Sequence, residues 1–258
     1  MRIVVCLKQV YDPTTVRVSS RAELDTRDGV LTTNAADLCA LETALAVKDM
    51  QAAEVIAATL GTARAEDVLL QALALGADRA ILLNDPLFAG SDAGVVGYAL
   101  ARAIARLGDV DLVLAGACSW DDNSCLVGPY IAEHLGWSQI TCASDVTVAG
   151  GRASALRSME DGNILVSVPL PAVVTVLPTI RPRLATAARI MVCGKRQIER
   201  WSAADIGADP SFLGVAGSLT VVRRVFAPEA QTRSSVLDGT AHDAARALAA
   251  RLRLRGLI

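Results

Sequence analysis

Residues 64–83 read RAEDVLLQALALGADRAILL. The first part of this stretch places apolar side chains on one helical face, namely those of Val68, Leu69, Ala72 and Leu75. Gly76 follows at the position after a helix end, where glycine adopts a positive φ without strain from a Cβ atom. Arg79–Leu83 is short and mostly apolar, as in a buried strand. The stretch therefore predicts a helix, a glycine stop and a strand, which is one repeat of an α/β protein.

The same alternation runs through the first half of the chain. Further strands are predicted at Ile3–Leu7, Val55–Leu60 and Leu112–Ala115. Further helices are predicted at Ala35–Met50, from the N-cap Asp92 through Leu107, and near Val127–Leu135. Strands that alternate with helices favour a doubly wound, mostly parallel sheet with helices on both faces.

Beyond residue 140 the pattern changes to that of hairpins. Short strand-like runs are separated by turn signals at Ala149–Gly151 and Glu160–Asn163. They predict a three-stranded antiparallel excursion over about 141–168, after which Ala172–Val176 returns to the main sheet.

The chain loses strong periodicity from about Arg189. Residues 194–228 mix Gly, Pro, Ser and charges around isolated Trp201 and Phe212, so we expect this segment to drape over a partner chain. Asp238–Leu254 predicts an amphipathic helix, either solvated on its own domain or docked. The predicted organisation is an α/β domain over 1–190 and a C-terminal arm with a helix over 191–258.

Composition excludes several classes of protein. Twenty-five basic and 27 acidic residues give a net charge of −2, which provides no attraction for nucleic acid or an anionic membrane. The apolar runs fall short of the roughly 20 residues that a membrane span requires. Met1-Arg2 leads directly into the first strand, too short for a signal peptide. We therefore expect a cytoplasmic protein without membrane insertion.

Cysteine and histidine usage argues against metal chemistry. The six cysteines occur singly with no CxxC motif, at positions 6, 39, 118, 125, 142 and 193. Several lie in apolar runs, so buried thiols are expected rather than disulfides or metal ligands. His134 and His242 are the only histidines, which leaves little for a zinc site or histidine-based catalysis.

The loops after the strands form the candidate site, because ligands of open α/β sheets bind at the carboxyl ends of the strands. The loop from Gly116 is the strongest candidate, since it ends in polar residues just before a helix: Asp121, Asp122, Asn123 and Ser124. Free N–H groups at such a helix start can bind a phosphate, or the loop can be an ordinary capped helix start. The residues alone leave both interpretations open.

Several segments, in order, resemble the electron transfer flavoprotein beta subunit. They are IVVCLKQVYD at 3–12, NAADLCALE at 34–42, ALALGADRA at 72–80, DLVLAG at 111–116, WDDN at 120–123, VGP at 127–129 and LPAVVT at 170–175. Each segment is short, but together they cover roughly residues 2–200. The resemblance implies an adenine nucleotide alpha hydrolase-like fold and a heterodimer with an alpha subunit.

The resemblance also implies cofactors and partners. FAD would be held mainly by the alpha subunit, and the beta subunit would bind AMP, or a second FAD in the bifurcating branch. Electrons would pass from a flavin dehydrogenase donor to an acceptor, and the beta subunit would be an electron carrier subunit rather than an enzyme.

The resemblance assigns the site residues. Gly116 and the four polar residues would form the phosphate loop, with Val127 and Gly128 opening its helix. We expect the backbone of Asp121 and Asp122, rather than their carboxylates, to face the phosphate. The adenosine pocket would be lined by Cys6, Asn34 and Leu60. The alternatives are core packing for Cys6 and Leu60, and a simple N-cap role for Asn34.

The sequence departs from the family pattern at several places. Ala117-Cys118-Ser119 lacks the usual basic residue, and Leu126 stands where glutamine is common. Residues 92–97 lack the threonines of the flavin-binding version, which argues against a second FAD. Ala187 replaces the leucine that anchors the partner-recognition loop, so a small side chain would fill less of a partner pocket. We therefore expect a dedicated dehydrogenase partner.

Two other functions fit a similar fold. One is an ATP-hydrolysing or adenylating enzyme, but the turn after the first strand carries no G-x-x-x-x-G-K-[ST] phosphate loop. The other is a stand-alone nucleotide-binding module of the universal-stress type, which would normally end near its fifth strand, whereas this chain continues well beyond Val176.

Overall fold

The computed structural model describes residues 1–18, 24–25, 27–194, 197–224 and 235–258. The chain divides into two compact units, Met1–Val225 and Phe226–Ile258. The strands of the first unit are, in chain order, β1 (Arg2–Cys6), β2 (Gln9–Tyr11), β3 (Arg17–Val18), β4 (Leu24–Asp25), β5 (Leu31–Thr33), β6 (Glu54–Leu60), β7 (Arg79–Leu83), β8 (Leu112–Gly116), β9 (Ser138–Ala149), β10 (Arg152–Met159), β11 (Gly162–Pro169), β12 (Ala172–Val176) and β13 (Glu199–Trp201).

Nine of these strands form one sheet in the order β11-β10-β9-β12-β8-β1-β6-β7-β13. The order reverses beside β1, because the chain first adds β6 and β7 on one side and then β8 on the other. These central strands are parallel. Strands β2 with β5, and β3 with β4, form two small antiparallel pairs outside the main sheet.

Helices cover both faces of the sheet. They are α1 (Ala35–Met50), α2 (Glu66–Leu75), α3 (Ala93–Leu107), α4 (Val127–Leu135), α5 (Ala187–Cys193) and α6 (Gly214–Gly217). Helices α1 and α2 pack with Ile3 and Val5, whereas α3 and α4 pack with Val4 and Cys6 on the opposite face. The predicted doubly wound α/β fold is confirmed, and α1, β7 and β12 have the predicted bounds.

The antiparallel excursion grows out of one long strand. The first half of β9 pairs in parallel with β12, and its second half pairs antiparallel with β10. A hairpin then joins β10 to β11. The three predicted antiparallel strands are present, and β12 returns between β8 and β9 as expected.

The expectation that residues 194–228 drape over a partner is wrong for the first part of that segment. Strand β13 pairs with β7 at the sheet edge, and the core buries Trp201, Ala203, Ile206 and Leu213. These apolar residues are widely spaced in the sequence, so no helical or strand periodicity predicts their burial. The compact unit continues past the expected boundary at 190 through the described residues up to 224, while residues 195–196 and 225–228 of the segment lie outside the described residues.

The second unit contains helix α7 (Ala241–Leu254). A reciprocal capping box between Thr240 and Asp243 fixes its start, three residues after the predicted Asp238. In the part of the chain that the structure describes, no helix has the length and hydropathy needed to cross a membrane.

Candidate functional site

A cavity of about 300 Å³ lies where the strand order reverses. It is lined by Cys6–Lys8, at the end of β1 and just beyond it, and by Ala115–Ser119, at the end of β8 and just beyond it. Reversal points of this kind are where doubly wound sheets bind ligands, because the loops of two adjacent strands diverge there and leave a crevice.

Most of the predicted site residues meet in this cavity. It is lined by Cys6, Asn34, Leu60, Gly116, Asp122, Ser124 and Val127. Asp121, Asn123 and Gly128 do not line it, although they belong to the same loop and helix start. The opposite wall was not predicted from the sequence, and it includes the apolar side chains of Phe88, Val96 and Leu100.

Asn34 presents an unsatisfied acceptor at this site. Its side chain is buried, and Nδ2 donates to the carbonyl oxygen of Cys118 at 2.9 Å. Oδ1 has no hydrogen-bond partner among the described residues. Although Asn34 precedes α1, its side chain makes no capping hydrogen bond, so the N-cap interpretation is wrong for the side chain. A buried acceptor without a partner is costly, and a ligand N–H or O–H would satisfy it.

Asp37 is a residue of the site that the sequence analysis missed. It lies in the first turn of α1, and its carboxylate accepts from Lys8 N at 2.7 Å and from Gly116 N at 3.0 Å. It therefore joins the ends of β1 and β8 beneath the cavity. Burial raises the pKa of Asp37 to about 7, against the lowering effect of its hydrogen bonds. An acidic residue in a first helical turn was the available signal, but many such residues only stabilise the helix dipole.

The close approach of the end of β8 to the first turn of α1 requires glycine at position 116. A Cβ atom on Gly116 would collide with Asp37 Oδ1 and would lie 2.8 Å from both the carbonyl carbon and the Cβ of Ala36. Only glycine lets β8 end this close to the first turn of α1.

The loop from β8 to α4 contains a disulfide bond, contrary to the expected free thiols. Cys118 and Cys125 are bonded, with their Cα atoms 4.3 Å apart. Their spacing of seven residues matches no metal or redox motif, so the spacing alone offers no reason to pair them. Cys6, Cys39 and Cys193 are buried free thiols as predicted, and Cys142 is a half-buried one.

Lys8 supplies a positive charge to the same loop. Its Nζ lies 2.7 Å from Asp121 Oδ1 and 3.5 Å from Asp122 Oδ2. Asp122 Oδ1 accepts from Ser124 N at 2.8 Å. Burial acts to raise the pKa of Asp122, but hydrogen bonding from Ser124 N and the charge of Lys8 lower it. Both carboxylates are therefore occupied by this chain's own donors.

Helix α4 begins at Val127, as predicted, and Val127 lines the cavity together with the preceding Leu126. Its N-cap position is Leu126, and no side chain of the described residues caps this end. Pro129 has no N–H, so the orphan donors of the first turn are those of Val127 and Gly128. The positive end of the helix dipole and these two donors make this the most anion-compatible wall of the cavity.

A parallel sheet that reverses beside β1, with a ligand-sized cavity at the reversal, defines a doubly wound α/β protein with a strand-end binding site. The sequence profile of the electron transfer flavoprotein domain matches residues 24–206.

Named relatives match almost the whole chain. Protein FixA of Azorhizobium caulinodans is 40% identical over 247 residues, which cover 92% of this chain and 88% of that protein. The electron transfer flavoprotein subunit beta of Clostridium acetobutylicum is 36% identical, with 98% of each chain covered. The caffeyl-CoA reductase-Etf complex subunit CarD of Acetobacterium woodii is 36% identical, with 100% of each chain covered. The chain belongs to the electron transfer flavoprotein family, among its beta subunits and FixA proteins, which confirms the resemblance seen in the sequence.

Proposed function

We propose that this chain is the beta subunit of a heterodimeric electron transfer flavoprotein and binds AMP as a structural ligand. The observation that carries the proposal is the cavity at the strand reversal, whose lining includes both Asn34, with its unpartnered Oδ1, and Val127 at the uncapped start of α4. The AMP-binding subunit supports an alpha subunit that holds FAD. FAD supplies the electron-accepting chemistry when bound, and this chain acts as a carrier subunit rather than an enzyme.

The phosphate of AMP is assigned to the α4 end of the cavity. The N–H groups of Val127 and Gly128 and the helix dipole would compensate a dianion that burial would otherwise make prohibitively costly. Lys8 adds a cation on the same rim, although Asp121 and Asp122 already pair with it. Because the backbone of α4 supplies the donors, the missing basic residue in the segment 117–119 does not preclude phosphate binding.

The adenosine part of AMP is assigned to the part of the cavity that combines polar and apolar side chains. Asn34 offers an acceptor and a polar edge, while Cys6, Leu60 and Phe88 offer apolar surface for a planar base. The volume of about 300 Å³ lies at the lower end of the usual range for ligand sites. This favours a mononucleotide over a second FAD, in agreement with the absence of threonines at the α3 start.

The redox partner would dock near α5. Ala187 is small, but the same helix exposes Ile190, Met191 and Val192. Such an apolar cluster suits the docking of a dedicated dehydrogenase that donates electrons to the flavin, in place of the usual leucine anchor. The C-terminal residues beyond the compact unit would contact the alpha subunit, and the assembly would work in the cytoplasm.

Coexpression with and without an alpha-like subunit of the same family tests the proposal. The purified complex should be yellow and should release AMP on denaturation, in a ratio of one nucleotide per chain, as measured by chromatography of the extract. A matched preparation of the alpha-like subunit alone shows which nucleotide belongs to which chain. A colourless monomer that hydrolyses ATP, or a complex that releases FAD but no AMP, would contradict the proposal.

A further inference from the structure

The Cys118–Cys125 bond spans the loop that forms one wall of the cavity. Cys118 follows the end of β8, and Cys125 lies two residues before α4. Both cysteines line the cavity, as do Ser119, Asp122 and Ser124 between them. The bond therefore fixes the span between a strand end and the helix start to which we assign the phosphate.

The backbone of this loop is held in an unfavourable conformation. Asn123 and Cys125 have φ angles of 50° and 58°, in the left-handed region. Residues other than glycine adopt this region rarely because Cβ crowds the backbone, and asparagine tolerates it better than cysteine, so the strain lies mainly at Cys125.

The loop is held by hydrogen bonds as well as by the disulfide, since Asn34 Nδ2 donates to the Cys118 carbonyl oxygen at 2.9 Å and Ser124 N donates to Asp122 Oδ1 at 2.8 Å. The ion pairs of Lys8 with Asp121 and Asp122 join side chains that are 42% to 46% exposed, so solvent screens them. The disulfide joins the two ends of the loop directly, and of these restraints it is the one that a reductant removes.

We propose that the Cys118–Cys125 pair is a redox-controlled latch on this cavity, which holds the nucleotide-binding shape when oxidised and releases it when reduced. The inference rests on the proposed AMP site and assigns regulation to it. The reductant is a dithiol, of small-molecule or protein origin. One thiolate of the dithiol attacks a sulfur of the cystine, so the Cys118–Cys125 bond breaks and a mixed disulfide forms. The second thiolate then closes the reductant into a disulfide. Two electrons and two protons end on Cys118 and Cys125 as thiols.

Exposure supports this role. Cys118 and Cys125 are half-buried on an open cavity, which admits a small dithiol. By contrast, Cys6, Cys39 and Cys193 are buried, and burial raises the pKa of Cys6 to about 12, so its thiol is inert as a nucleophile. Accessible disulfides in reducing compartments are typically transient or regulatory rather than structural.

Hydrogen exchange and AMP titration of the full-length chain test the latch. Both are measured on air-oxidised protein and after dithiothreitol, for the wild type, for the double variant Cys118→Ser/Cys125→Ser, and for the control Cys142→Ser. Reduction should speed amide exchange in residues 117–127 about tenfold and weaken AMP binding about tenfold, as expected for a loop that must be ordered on binding. The double variant should match reduced wild type and ignore dithiothreitol, while Cys142→Ser should respond like wild type.

The outcomes separate the two proposals. If reduction leaves exchange in residues 117–127 unchanged, or if alkylation and mass spectrometry find both cysteines free after oxidation, the latch is refuted. If exchange responds to reduction but neither state binds AMP, the latch stands and the proposed nucleotide site fails. Should the double variant not fold, the comparison of oxidised and reduced wild type decides alone.

Discussion

Three helices begin at the cavity, namely α1, α3 and α4, and the first turns of α3 and α4 are satisfied in different ways. At α3, Asp92 Oδ1 accepts from Val95 N at 3.1 Å, and Oδ2 accepts from the N–H groups of Leu219 and Thr220 at 2.8 and 2.9 Å. At α4, the described residues supply no side-chain cap. The α3 end is thus neutralised by a carboxylate of its own chain, and the first turn of α1 carries the carboxyl group of Asp37, so α4 is the helix end available to an anion.

The largest expected effect concerns the glycines at the second position of α3 and of α4. A Cβ on Gly128 would collide with Thr175 Cγ2, whereas a Cβ on Gly94 would lie 3.3 Å or more from its neighbours. Because Thr175 is buried on a central strand, Gly128→Ala should lower the free energy of unfolding by about 3 kcal/mol, measured by urea denaturation. Gly94→Ala is the matched control and should change it by less than about 1 kcal/mol.

A second substitution tests whether the collision with Thr175 causes the loss of stability in Gly128→Ala. Thr175→Ser removes Cγ2 but keeps the hydroxyl oxygen that accepts from Cys142 N at 3.1 Å. Combined with Gly128→Ala, it should restore most of the lost stability. Equal losses for the two glycine variants, or no rescue by Thr175→Ser, would show that the two helix starts do not differ in packing.

The next effect concerns the α3 cap. Asp92→Ala should lower the free energy of unfolding by about 2 kcal/mol, since it removes a cap and leaves several donors unpaired. Amide exchange at Leu219 and Thr220 should also speed up, because both bond to this carboxylate. Asp209→Ala is the control, since Asp209 caps only the short turn Pro210–Phe212. If Asp92→Ala loses no more stability than Asp209→Ala, the α3 start is not stabilised by its side-chain cap, and the contrast with the uncapped start of α4 fails.

A smaller effect, on the affinity for AMP, is expected when Asn34 is substituted. Asn34→Leu removes the unpartnered acceptor and should weaken AMP binding about tenfold in calorimetric titration, in line with the loss of one hydrogen bond from a ligand. Thr33→Val is the matched control, because Thr33 donates to Gln71 Oε1 and does not line the cavity. Undiminished affinity in Asn34→Leu would show that the acceptor does not face the ligand.

The sequence predicted what periodicity and turn chemistry encode. The bounds of α1, the Asp92 cap and the glycine after α2 follow from local patterns, and the strand-end rule located the cavity. It could not predict contacts between distant residues that carry no local signal. Strand β13, the Cys118–Cys125 bond and the contact of Lys8 with Asp121 all depend on tertiary placement. Asp37 was not predicted as a site residue for the same reason, since its partners are backbone groups of two other elements.

The smallest expected effect is a pH dependence from Asp37, at the third helix start of the cavity. Its pKa is raised from 3.8 to about 7 in the folded chain, so between these values the unfolded chain binds fewer protons than the folded one. The stability contributed by protonated Asp37 is therefore complete below about pH 4 and is lost as the pH rises through 7. Urea denaturation should show a decrease of about 1 kcal/mol between pH 6 and 8 that is absent from Asp37→Asn.

Parallel pH profiles of wild type and Asp37→Asn would contradict this prediction. They would mean that the carboxylate stays ionised, stabilised by the N–H groups of Lys8 and Gly116 and by the dipole of α1. The cavity would then carry an additional negative charge at neutral pH. In that case the uncapped start of α4 would have to offset the repulsion between this charge and the phosphate. AMP binding should then strengthen in Asp37→Asn, because the phosphate would no longer face that charge.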